Sequence, residues 1–182
     1  PEFEVKLIST ELTAQFFTHM KVAFFAALLV SSPYIVFILF RYISPALYHN
    51  EKKYSGRVLF WAYSLFFLGV LLSYYIIFPL SFRFLGTYQV SPEVVNTITL
   101  NSYVQTLLVL SLLMGIMFEI PVLAWFFAKI GLLKADFMRK KRRYAIVIIL
   151  IVAAVITPTG DVFTLTIVSL PVFLLYEISI LL

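Results

Sequence analysis

Cysteine is absent from this chain of 182 residues, which excludes disulfides, thiol catalysis and cysteine-based metal sites. Histidine is scarce: the two present, His19 and His49, stand far apart and in no HExxH-type spacing, so a metal site is not expected. Charge is scarce as well. Charged residues make up 13% of the chain, about half the ~25% of an ordinary soluble domain. A glycine-rich phosphate loop, a Ser/His/Asp set and closely spaced paired carboxylates are all missing, which leaves no catalytic candidate and implies no cofactor. What remains is apolar: 62% of residues are hydrophobic and the mean hydropathy is +1.00. The 19 Phe and 11 Tyr fit a membrane protein, several Tyr falling near the ends of apolar runs where an amphipathic ring sits at headgroup level.

Five apolar runs divide the sequence, at residues 20–42, 58–79, 103–128, 145–156 and 162–182. The first three are long enough to span, because about 20 helical residues cover a ~30 Å hydrocarbon core. The fourth reaches only ~18 Å, and the fifth ~22 Å before it meets Glu177. Joined by the turn-rich TPTGD (residues 157–161), these two read as short spans rather than a re-entrant hairpin. The net charge of +5 is a topology signal. Arg41 at the end of run one is followed by Lys52, Lys53 and Arg57 between runs one and two, and Lys129, Lys134 and the cluster Arg139, Lys140, Lys141, Arg142 and Arg143 lie between three and four. The connection at 80–102 has only Arg83 and TPTGD has none, so loops 43–57 and 129–144 are expected to face the cytoplasm. That places the opening PEFEVKLIST outside. Since it has neither a basic n-region nor an apolar h-region, at least one earlier membrane helix is expected upstream of Pro1. No internal repeat is evident, and the whole reads as one all-α helical bundle.

Residues 113–127 read LMGIMFEIPVLAWFF, a span interior carrying Glu119 and Pro121. Lys129 marks the basic end, so the acid lies ~15 Å in, near the bilayer centre. Helical spacing sets Glu119 on one face with Gly115 and Ser111, and Gln105 close to that stripe, where small and polar residues admit a close neighbour or line a concavity. Pro121 is expected to bend the helix there. Two readings stand: a structural carboxyl bonded to an adjacent helix, or a functional acid, the default for an ionisable residue at this depth. In SPALYHNEKK (residues 44–53) Ser44 suits an N-cap and Pro45 a first helical position, presenting Glu51 among Lys52 and Lys53. That glutamate is either part of a solvated charge cluster or a partner for the forked donors of arginine. Asp161 suits the N-cap of the last helix, and Glu177 marks the cytoplasmic interface. The run MRKKRRY (residues 138–144) reads as an anchor at anionic headgroups, with nucleic acid not expected beside a helix that enters the membrane one residue later.

Taken together, FRYISPALYHNEKK (residues 40–53), MFEIPVL (117–123), ITPTGDVFT (156–164) and SLPVFLLYEIS (169–179) resemble the TatC family of the twin-arginine protein translocase, in the family's order and over essentially the whole chain. The resemblance implies an all-α integral membrane protein: a concave, glove-like transmembrane bundle of six helices, this chain supplying helices two to six, the last two short. It implies residence in the bacterial cytoplasmic (inner) membrane. It also implies a receptor and scaffold rather than an enzyme: binding of twin-arginine signal peptides, hetero-oligomeric assembly with single-helix TatA and TatB partners, and transport of folded proteins on the proton-motive force. Residue by residue, Glu51 matches a first-loop glutamate that reads the two arginines, Glu119 the buried acid of the concave face, and Asp161 the outward-side acid before the last helix. The family often has Pro-Asp with Gln four residues on. Here Gly160 precedes Asp161 and Leu165 takes the later place. A small proton-coupled transporter using Glu119, or a purely structural assembly subunit, are the alternatives.

Overall fold

The computed structural model describes residues 7–9, 12–43, 55–88, 98–129, 131–157 and 160–181. Glu51 and the short helix start expected at Ser44 and Pro45 lie outside the described residues. Eight helices are described: α1 (Ala14–Ile43), α2 (Ser55–Leu72), α3 (Phe78–Thr87), α4 (Leu100–Met117), α5 (Ile120–Lys129), α6 (Ala135–Lys140), α7 (Arg142–Ile156) and α8 (Val162–Leu181). Two-residue strands β1 (Leu7–Ile8) and β2 (Ile98–Thr99) pair in parallel and tie the start of the chain to the foot of α4. Four stretches are long and apolar enough to cross a membrane: Ala14–Leu39, Val58–Thr87, Leu100–Lys129 and Val162–Leu181. At 15 residues α7 is the shorter partner of the final pair. The last helix runs through Glu177 to Leu181, and Arg142 at the start of α7 donates to Glu177 Oε2 at 2.7 Å.

Proline shapes three of these rods. Pro33 leaves the Leu29 carbonyl without its helical donor, and Ser32 Oγ fills the vacancy at 2.7 Å. Ahead of Pro79 the backbone widens into a π turn, Ser73–Ile77, whose Phe78 N–H reaches back to Ser73 O; the extra width gives the proline ring room. At Pro121 the rod breaks. Glu119 N–H turns to Ile116 O at 3.1 Å, and regular bonding resumes with Leu123 N–H on Glu119 O at 3.0 Å.

The core lies where α2, α3, α4 and α8 meet, with Ile77, Leu110, Met114 and Val168 almost wholly buried and Ile149 and Ala153 of α7 packed beside them. Glycine sets the spacing of the α2–α4 seam: a Cβ on Gly69 would stand 2.6 Å from Met114 O, and one on Gly115 2.9 Å from the Phe66 ring. Large apolar side chains such as Phe24, Val30, Leu68, Ile148 and Leu170 point outward, as they do when hydrocarbon is the solvent.

Candidate partner-binding groove

Between α1, α2 and the α4–α5 rod runs a groove of about 480 Å³. Leu28, Ser32, Ile35 and Leu39 form the α1 wall, Ala62 and Phe66 the α2 wall, and Leu112, Ile116, Glu119, Val122, Leu123 and Phe126 the floor. Glu119 is the one ionisable group among the described residues of that lining. Its Oε1 is fully buried and has no hydrogen-bond partner among the described residues. A buried acceptor left unmet costs of order 1 to 3 kcal/mol, so the groove is chemically incomplete.

The stripe expected for Glu119 divides: Gly115 admits a close neighbour, but neither it nor Ser111 lines the groove with Glu119. Its neighbours in the groove are Leu112 and Ile116, whereas Ser111 and Gly115 are buried, Gly115 against Phe66 and Val70 of α2. The small residues sit one step around the helix because the close approach they permit is used by α2. Gln105 is elsewhere again. With Asn101 it accepts from Lys21 Nζ of α1, at 3.3 and 2.8 Å, a polar tie at the opposite end of α4 from the acid. Pro121 is buried and lines a second hollow on the other side of the rod.

Asp161 caps α8, its Oδ2 accepting from Thr164 N–H at 2.7 Å. Arg139 and Lys140 close α6, Lys141 stands between the two helices with its Nζ 4.8 Å from the Tyr144 ring, and Arg142 and Arg143 open α7. Beside them Tyr176 Oη donates to Met138 O at 2.9 Å, clasping α6 to α8. Sequence reasoning missed Lys21, the partner of Glu177, and the repair of Pro33 by Ser32. The signal for the first was visible, as a lone cation inside an apolar run.

A chain with four helices suited to crossing a membrane and an acid-bearing groove between them has the architecture of a multi-pass helical membrane protein. Comparison with known proteins narrows the class. Residues 2–171 match the family described as Sec-independent protein translocase protein (TatC). A TatC of Escherichia coli (strain K12) is 33% identical over 175 residues, covering 96% of this chain and 67% of that protein. One of Koribacter versatilis (strain Ellin345) is 36% identical over 177 residues, covering 96% and 64%. One of Helicobacter pylori (strain ATCC 700392 / 26695) is 41% identical over 162 residues, covering 89% and 63%. A crystal structure of the twin arginine translocase receptor TatC in DDM superposes with a TM-score of 0.86 at 33% identity, covering 97% of this chain and 78% of that one. The chain belongs to the TatC family of Sec-independent protein translocase subunits, multi-pass proteins of the bacterial inner membrane, and spans about two thirds of the length of the curated relatives it matches.

Proposed function

We propose that this chain forms most of a twin-arginine signal-peptide receptor, the core scaffold of a translocase that carries folded proteins across the membrane on the proton-motive force. The observation that carries the reading is Glu119: an acid with one oxygen buried and unmet, in a groove otherwise walled by apolar side chains and Ser32. Such a site is completed by another helix that brings a donor, either a single-helix subunit of the TatA or TatB type or the signal segment itself. Family membership and likeness to a solved twin arginine translocase receptor support the same reading. In this account Glu51 reads the arginine pair at the cytoplasmic face through charge-assisted hydrogen bonds worth ~1.5 to 3 kcal/mol. Asp161 fixes the outward turn by capping α8, and the basic cluster from Arg139 to Arg143 holds the cytoplasmic loop at anionic headgroups. In the intact protein, Glu51→Ala is expected to weaken binding of a twin-arginine peptide about tenfold or more and that of a twin-lysine peptide much less. Equal loss for both peptides would remove Glu51 from the reading role.

A further inference from the structure

On the side of the α4–α5 rod away from Glu119 lies a second hollow of about 380 Å³, between α2, α5 and α8. Trp61 and Leu65 of α2, Pro121 and Trp125 of α5, and Leu175 and Ile178 of α8 define it, and its surface is almost wholly apolar. Its position is informative. α2 and α8 contribute the ends nearest the basic loops, Arg57 lying in the first turn of α2 and Ile178 following the Glu177 that holds Arg142, while Lys129 closes α5 one turn beyond Trp125. Lys129 Nζ stands 5.8 Å from the centre of the ring of Trp125, which lines the hollow.

Length decides against a transmembrane partner. From Val58 to Leu65 the lining climbs only ~10 Å along α2, a third of the ~30 Å a crossing helix would need. Charge decides the rest, because a short apolar slot with a cation beside Trp125, at tryptophan depth, matches a tail beneath an anionic head. We propose that this hollow is a binding site for an anionic phospholipid, one acyl chain lying between Trp61, Trp125 and Leu175 and the phosphate headgroup beside Lys129.

The chain offers its own probe: its two tryptophans are Trp61 and Trp125, and both line the hollow. The test uses the full-length protein, carrying Phe at any tryptophan outside this chain and at Trp61, in vesicles of phosphatidylcholine doped with acyl-brominated phosphatidylglycerol or acyl-brominated phosphatidylcholine. Fluorescence of Trp125 is expected to be quenched by the brominated anionic lipid at low mole fraction, in a saturable way reversed by unbrominated phosphatidylglycerol. Brominated phosphatidylcholine should quench only in proportion to its abundance. Lys129→Gln should lower the headgroup preference about fivefold. Leu175→Phe, which fills the slot and leaves the charges, should abolish the preference, with Val58→Phe as the substitute if the first variant does not fold. Equal quenching by the two lipids, or a preference that survives filling of the slot, assigns the effect to lipid around the protein and overturns the proposal. Shielding of Trp125 from both brominated lipids places polypeptide in the hollow and overturns it equally.

Discussion

Two hollows flank the α4–α5 rod, sharing Val122 in their walls and little else. The first is bordered by α1, whose surface is largely exposed, and holds a carboxylate with an unmet oxygen. The second is closed by α8, has no ionisable side chain among the described residues of its lining, and lies toward the basic end of the bundle. The floor of the groove follows one helical stripe, Leu112, Ile116, Glu119, Leu123 and Phe126, while Pro121 and Trp125 face the other way. A single acid on one stripe is therefore enough to make chemically distinct surfaces on one helix: a polar demand in the first hollow, and only apolar area and nearby positive charge in the second.

The largest effect should come from removing that acid. Glu119→Leu in the intact translocase is expected to cost ~1.5 to 3 kcal/mol of partner affinity, tenfold or more in co-purification. The isolated subunit should be no less stable, since an uncompensated buried polar group is lost. The matching change across the rod, Leu175→Phe, should leave partner binding intact, and comparing the two separates the hollows. Next comes the seam between them. Gly69→Ala forces a methyl toward Met114 O and should destabilise the folded chain by about 1 to 3 kcal/mol, read as a lowered unfolding midpoint in detergent. Ser32→Ala, in the groove wall, strips the donor from Leu29 O and should cost ~1 kcal/mol in the same assay, with Ser32→Thr recovering most of it. Smallest is the ion pair that joins α7 to α8. A double-mutant cycle on Arg142 and Glu177, a half-exposed pair, should give less than ~1 kcal/mol and shrink with added salt.

The acid itself was legible from sequence, because a carboxylate inside LMGIMFEIPVLAWFF contradicts its surroundings, and so was the break, because proline has no N–H to give. The cap at Asp161 was legible for a similar local reason: Gly160 supplies a turn with φ 61° and the next helix needs an acceptor. Which stripe Glu119 shares was not. Residues 115 and 116 flank residue 119 at about 40° and 60° to either side on a helix, and only the packing of Gly115 on Phe66 decides which of them faces α2. Pairings across the chain were hidden for the same reason, since Lys21 meets residues 80 and 84 positions away and Arg142 one 35 positions away. The apolar hollow left no local mark, being a property of three helices at once.

Site-specific photocrosslinking in the full-length protein, with a twin-arginine precursor and the single-helix subunits present, tests the central claim most directly. A photoreactive residue in place of Ile116, on the groove floor beside Glu119, should give a polypeptide adduct, and one in place of Leu175 in the apolar hollow should give lipid adducts alone. Polypeptide captured from position 175 and none from position 116 would contradict the account.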